Sequence, residues 1–225
     1  MLYDFHTHTL LSDGGLLPIE LIRRAICRGY TAIALTDHVS RGNLDSVVTA
    51  LVAECRLAEE HWEIRAIPGV ELTHLPPAAI PELAREARRR GAQIVVVHGE
   101  TPVEPVAAGT NLAALRCPEV DILAHPGPID AELAGLAAGN GIWLEISARQ
   151  GHALGNGAVA AAARQAGALL LVNSDAHAPE DILTEDFARR VAAGAGLSRE
   201  EMEAALVANP ERLLAKLGPR RGAGL

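Results

Sequence analysis

Short apolar runs alternate with longer amphipathic stretches from one end of the chain to the other. Seven runs have the length and branched apolar content of strands: Leu2–His6, Thr31–Asp37, Ile64–Glu71, Gln93–His98, Val120–His125, Ile142–Ser147 and Ala168–Ser174. The stretches between them read as helices. Pro18–Arg28 begins with a proline, whose missing N–H costs nothing in a first turn, and stops before Gly29. Pro81–Arg90 gathers Arg85, Arg88, Arg89 and Arg90 towards its end, where the helix dipole is negative, and Gly91 follows. Asn156–Gln165 is alanine-rich and closes at Gly167, and Ser198–Leu217 adds one or two helices. Strand alternating with helix predicts a parallel sheet, and seven such units predict a closed or nearly closed α/β barrel. An open doubly wound sheet is the competing topology, which periodicity leaves open. No repeat, linker or low-complexity block divides the sequence, so one domain is expected over residues 1–217, with a fraying tail at residues 218–225.

Composition adds constraints. Apolar residues make up 49% of the 225, enough for a sizeable core, but aromatics are only 3%, so Ala, Leu, Val and Ile must fill it. The net charge of −8 argues against a nonspecific nucleic-acid binder, although acidic metal ligands would add to that count. The cysteines Cys27, Cys55 and Cys117 are odd in number and form no CxxC pair. They read as small core residues or bystanders in a reducing compartment. The opening MLYDFHTHTLLSDGG lacks the pattern of a signal peptide, and no 18-residue apolar run exists. A cytoplasmic protein with no membrane partner is therefore expected; its oligomeric state is left open.

The chemistry lies where the strands end. The first run finishes on His6 and leads to His8 and Asp13, the second leads to Asp37 and His38, and the third finishes on Glu71. The fourth ends on His98 and the fifth on His125; the seventh leads to Asp175 and His177. Six of the nine histidines thus sit at or just past a strand's C-terminal end, the face of a β/α barrel where its loops converge. In His6-x-His8 an extended chain sends both imidazoles to one side, and Asp175-x-His177 repeats that geometry. If the barrel closes, the two pairs meet. Imidazole with carboxylate suits Zn, Mn or Fe, and Glu71 is the natural bridging ligand. Asp4 and Asp37 read as orienting nearby histidines. His61 falls at the opposite end of the barrel, His74 can line the rim, and His152 lies in a glycine-rich loop suited to substrate contact. Arg149, just past the sixth strand, is the best placed phosphate grip, with Arg41 a weaker second.

These residues carry a family resemblance. Asp4-Phe-His-Thr-His-Thr with Ser12-Asp13-Gly14, then Thr36-Asp37-His38, Gly69-Val70-Glu71, His98, Ala124-His125-Pro126 and Ser174-Asp175-Ala176-His177 resemble, in order, the motifs of the PHP (polymerase and histidinol phosphatase) family. The resemblance covers about Leu2 to Asp181. It implies a distorted, TIM-like (β/α)7 barrel and two to three divalent metal ions. One ion would be held by His6, His8, Glu71 and Asp175. A second would take Asp13, His38 and His177, and a third would share Glu71 and take His98 and His125. Some relatives have histidine where Asp13 stands; aspartate there makes the site harder and more anionic, favouring Mn or Fe over Zn.

Two ions a few ångströms apart suit phosphoester hydrolysis by a metal-activated hydroxide, with Glu71, Asp175 and His177 nearest the reaction. The leading expectation is a phosphatase acting on a small phosphomonoester, histidinol phosphate or a related phosphorylated metabolite. The alternative is a nuclease or nucleotide phosphodiesterase of the same family. A noncatalytic metal-bound module is disfavoured by the complete ligand set. The acidic balance and the lack of an aromatic stacking platform argue against a stable nucleic-acid complex.

Overall fold

Alternation along the strands separates two apolar layers. Ala32 and Ala34, Ile94 and Val96, and Ile122 and Ala124 pack with Tyr3, Phe5, Ile67, Trp143 and Leu171 into one cluster, the barrel interior. Their sequence neighbours Ile33, Leu35, Val95, Val97 and Leu123 belong to a larger cluster under the helices. A strand's side chains point alternately to its two faces, and a parallel sheet buried on both faces is apolar on both. In the computed structural model, which describes residues 1–218, the elements run β1 (Leu2–Asp4), α1 (Pro18–Cys27), β2 (Tyr30–Leu35), β3 (His38–Val39), α2 (Leu44–His61), β4 (Arg65–Leu72), α3 (Ile80–Arg90), β5 (Ile94–His98), α4 (Thr110–Leu115), β6 (Ile122–Ala124), α5 (Ala131–Asn140), β7 (Trp143–Ser147), α6 (Asn156–Ala166), β8 (Leu170–Asn173), α7 (Glu185–Gly194), α8 (Arg199–Glu203) and α9 (Asn209–Leu217). Of the expected tail, residues 219–225 lie outside the described residues.

All strand pairs are parallel, in the order β1-β2-β4-β5-β6-β7-β8. The seven expected strands and the α/β (β/α)7 architecture are present. The added two-residue β3 pairs with β4 and sets His38 opposite Glu71. β1 and β8 share no ladder. Their seam is closed by the Asn173 side chain, whose Oδ1 accepts from Phe5 N at 3.0 Å, and by the Thr7–Ala176 bridge at the top. There Asp175 N donates to His6 O and His8 N to Ala176 O, both at 2.9 Å. This is where the barrel is distorted. It is also how the His6-x-His8 and Asp175-x-His177 segments come to lie side by side.

Within the barrel, apolar residues fill the lower layers: Leu213 of α9 packs into the interior cluster from below. Following the alternation upward, Ile67 leads through Gly69 to Glu71, Val96 to His98, Trp143 to Glu145, and Leu171 through Asn173 to Asp175. Gly69 must be glycine, since a Cβ there would fall 2.3 Å from Ile94 Cγ2. The top layer is polar and still buried. Among the described residues, no helix is long and apolar enough to cross a membrane.

Leu51 of α2 is wholly buried, whereas Leu57 on the same helix is 45% exposed. Leu51→Ala is therefore expected to destabilise the protein by about 2–5 kcal/mol, and Leu57→Ala by no more than about 0.5 kcal/mol, in denaturant melts.

Candidate metal centre

The upper layer brings the strand-end residues into one mouth. His6 Nε2 lies 3.3 Å from Glu71 Oε1 and 3.7 Å from Asp175 Oδ1, and His8 Nε2 lies 3.1 Å from Asp175 Oδ1. His125 Nε2 is 3.4 Å from Glu71 Oε1. On the outer side, Asp13 Oδ1 faces His177 Nε2 at 3.1 Å and His38 Nε2 at 3.5 Å. His38 Nδ1 approaches Glu71 Oε2 at 2.6 Å, joining the two halves. His8, Asp13, His38 and His177 form one group of converging ligand atoms, His6, His8 and Asp175 a second, and His6, Glu71 and His125 a third. All nine residues expected as ligands are at the mouth. The His98 ring stands beside that of His125, centroids 4.5 Å apart, with His74 and Glu104 on its other side.

Two observations test whether these residues fit divalent ions. A tetrahedral ion with bonds of about 2.0–2.1 Å sets its ligand atoms about 3.3 Å apart, and most of the separations above fall near that edge. The second observation is polar atoms left without partners. Among the described residues, the buried side-chain atoms lacking a hydrogen bond include His6 Nε2, both ring nitrogens of His8, Glu71 Oε1, His125 Nδ1 and Asp175 Oδ1. Buried polar atoms are rarely left unpaired, and here they converge on shared points. The residues fit.

The electrostatics show what a cation would supply. Burial alone would strip the proton from His6. Glu145, Glu71 and Asp175 around it instead raise its pKa well above the ordinary value. Burial, with His38 and His6 alongside, keeps His8 well below its usual range and so in the neutral form that binds metal. Burial pushes Asp175 up to about 6 despite the neighbouring His6 and His125.

The supporting residues were only partly foreseen. Asp4 braces backbone, accepting from His6 N at 3.3 Å and Ser174 N at 3.1 Å. Asp37 orients no histidine. It holds the loop that delivers His8 and Asp13, accepting from Thr9 N, Thr9 Oγ1 and Ser12 Oγ at 2.7–2.9 Å. Gly14 permits this turn, since a Cβ would strike the His8 carbonyl oxygen at 2.4 Å. The residue that orients a histidine is Glu145, whose Oε2 lies 2.8 Å from His6 Nδ1 and accepts from Asn173 Nδ2 at 3.0 Å. Burial would raise its pKa, but His6 overrules this and takes it to about 2. A lone carboxylate inside the apolar run Ile142–Ser147 was its signal in the sequence.

The substrate-side candidates divide. Arg149 turns inward, with Nη1 2.7 Å from His177 Nδ1 and 3.2 Å from Asp175 O. His152 is buried at the mouth, its Nδ1 2.7 Å from Thr101 Oγ1. Arg41 is not brought to the site: its side chain is 68% exposed and pairs with Glu82 at 2.8 Å on α3. The sequence offered only its position after a strand, and an acidic neighbour on the adjacent helix captured it.

The PHP domain family model matches residues 4–116, half of the chain and the segment that carries His6 through His98. The chain belongs to the PHP family. Over 96% of its length it is 47% identical to an uncharacterized protein of Methanocaldococcus jannaschii, all of which is covered. A protein of Shewanella halifaxensis named "Probable phosphatase" is 29% identical across all of this chain and 95% of its own. Ribonuclease P protein component 3 of Methanosarcina acetivorans is 27% identical over 98% of this chain and 91% of its own. Among solved structures, a candidate histidinol phosphatase of Listeria monocytogenes shares the fold, with a TM-score of 0.60 over 80% of this chain and 97% of that one, at 12% identity. In this PHP chain His125, Asp175 and His177 fall beyond the matched segment, and the geometry alone assigns them to the mouth.

Two outcomes follow. Because the carboxylates around His6 raise its pKa well above the ordinary value in the metal-free chain, zinc binding there should displace protons, so the calorimetric enthalpy should vary with the buffer's ionisation enthalpy and affinity should rise with pH. Glu145→Gln should weaken metal affinity about 10–100-fold with the fold intact by circular dichroism.

Proposed function

We propose that this chain is a metal-dependent phosphatase that hydrolyses phosphomonoesters of small molecules. The observation that carries the reading is the composition of the mouth: a cavity of about 410 Å³ lined by metal-binding residues and by one cationic side chain, Arg149, among the described residues. Pockets of a few hundred cubic ångströms take small ligands. A terminal phosphate offers several free oxygens, and this mouth offers metal positions for some and a guanidinium for another. Divalent ions bound here, two to three in this reading and drawn from Zn, Mn and Fe, supply a hydroxide nucleophile at neutral pH and counter-charge for the phosphoryl oxygens.

The chain's own residues do the rest. Glu71 and Asp175 place carboxylate oxygens between imidazoles, so each can serve more than one ion. His177 stands between Asp13 and Arg149, joining the metal side of the mouth to the phosphate grip. His152 presents its Nε2 to the same cavity, where a leaving group or a substrate hydroxyl would lie. Nucleic-acid substrates need a track of basic and stacking residues. The loops Leu72–Ala79 and Pro126–Asp130 contain no lysine or arginine, which favours the monoester over the nuclease reading. Cys27, Cys55 and Cys117 are unpaired, which supports a reducing compartment such as the cytoplasm.

The deciding assay compares sugar and amino-alcohol phosphates with labelled single- and double-stranded DNA and RNA under identical metal conditions. Monoester hydrolysis with at most slow cleavage of oligonucleotides is expected. Efficient exonuclease action with little monoesterase would replace this reading. Glu71→Ala should abolish most activity and lower metal occupancy, whereas His61→Ala, at the far end of α2, should be near neutral. Arg149→Ala should cost on the order of 2–4 kcal/mol in kcat/KM without emptying the metal positions, and Arg149→Lys should restore only part.

A further inference from the structure

The aromatic residues of this chain are few, and one of them is left outside. Tyr3, Phe5, Tyr30 and Trp143 are buried and Trp62 is half-buried, whereas Phe187 stands 39% exposed. An aromatic ring kept in water forgoes the apolar burial that stabilises the others. Phe187 lies in the first turn of α7, where Thr184 Oγ1 accepts from its N–H at 3.2 Å. The next residue, Ala188, is buried, so the helix is seated on the core while the ring stays out. The Arg190 guanidinium lies over that ring, 5.6 Å from its centroid. With Ala148, Arg149, Gln150, Glu180 and Asp181, Phe187 lines a groove of about 540 Å³.

This groove adjoins the mouth, because Arg149 lines both cavities. Its two walls are braced. On the β7 side, Ala148 N donates to Asn173 O at 2.9 Å and Arg149 N to Ser147 Oγ at 3.2 Å. The opposite wall runs on directly from His177. There Asp181 Oδ2 accepts from His177 N at 3.0 Å and from Ala178 N at 2.9 Å. Arg28 of α1 ties the same loop down, donating to Pro179 O at 3.2 Å and to Ile182 O. A groove whose walls are already fixed takes a ligand without the entropic cost of ordering them. Its rim is polar: Gln150 and Glu180 are both exposed, the first bringing an amide that donates and accepts, the second a carboxylate that accepts.

We propose that this groove seats the alcohol part of the substrate, and that Phe187 selects phosphomonoesters whose alcohol carries a planar ring with a polar edge. The proposal rests on the phosphatase reading, in which Arg149 grips the phosphate. A phosphoryl group held by Arg149 stands where the two cavities meet, with metal positions on one side and the groove on the other. The ester's organic part then has a braced channel to follow, and Phe187 offers a ring face to stack on at its end. Gln150 and Glu180 suit donors and acceptors on the edge of such a ring, which an aliphatic alcohol lacks. A single stacking ring serves one planar group and not a succession of bases, in keeping with a small substrate. Phe187 is thus a specificity-determining residue: it touches the part of the substrate that does not react.

Steady-state kinetics on the metal-loaded full chain tests this, with a nucleoside monophosphate as the ring-bearing probe and glycerol phosphate as the ring-free one. The readout is the ratio of their kcat/KM values in the wild type, Phe187→Ala and Phe187→Trp. The ring is exposed, so neither change opens the core, and matching thermal melts check the fold. The wild type is expected to favour the ring-bearing probe by at least about tenfold, Phe187→Ala to lower that ratio by at least about fivefold, mostly through KM, and Phe187→Trp to keep it. A wild type without preference between the probes would overturn the groove and leave the phosphatase reading standing. A preference that survives in Phe187→Ala would also overturn it, because the ring would then be read elsewhere. Loss of the preference in Phe187→Trp as well as in Phe187→Ala would mark a structural role and overturn it too. Hydrolysis of neither probe nor of any other monoester by the metal-loaded wild type would overturn the phosphatase reading, and this inference with it.

Discussion

Concentrated negative charge on buried side chains is the constraint on which the rest of this structure depends. Glu71, Glu145 and Asp175 are buried carboxylates inside the upper rim of one barrel, with Asp4 just beneath. Buried charge is costly unless it is paired. Among the described residues, the ionisable partners close to them are imidazoles, with Arg149 reaching in from the edge, and the carboxylates drive His6 towards its protonated form. Divalent cations meet the same need with more charge and directed bonds. Several of the atoms they would bind, His6 Nε2, His8 Nε2, Glu71 Oε1 and Asp175 Oδ1, are left without hydrogen-bond partners.

The fold exists in a form that keeps this layer in place. Apolar residues fill the lower interior, so the polar residues at the top rest on a dense floor. The seam between β1 and β8, where no ladder forms, is held by Asn173 and by backbone bonds at the level of the ligands themselves. The ligand pairs His6/His8 and Asp175/His177 thereby help to close the barrel. Glu145 joins both roles, since it orients His6, accepts from the amide of His125 at 3.3 Å and binds Asn173 at the seam.

Much of this was legible in the sequence because it follows from period and position. Alternation gave the strands, and their C-terminal ends gave His6, His38, Glu71, His98 and His125. What escaped depended on three-dimensional pairing. Arg41 follows a strand as Arg149 does, but Glu82 on a neighbouring helix draws it outward. Asp37 sits beside His38 in sequence, yet its oxygens serve Thr9 and Ser12 across the mouth. Glu104 gave no signal at all, because it lies in a loop between prolines, and only the fold brings His74, His98 and His152 around it. The two-residue β3, His38–Val39, lies past the end of the expected second strand at Asp37, and nothing in the apolar pattern marks it.

The central claim is that the mouth is a multinuclear metal centre. Its most direct test is the number of transition-metal ions per chain in protein purified without chelator, counted by elemental mass spectrometry. Two or more ions per chain, falling sharply in Glu71→Ala, is the result this account predicts. One ion or none, persisting after reconstitution with Mn or Zn, would contradict it.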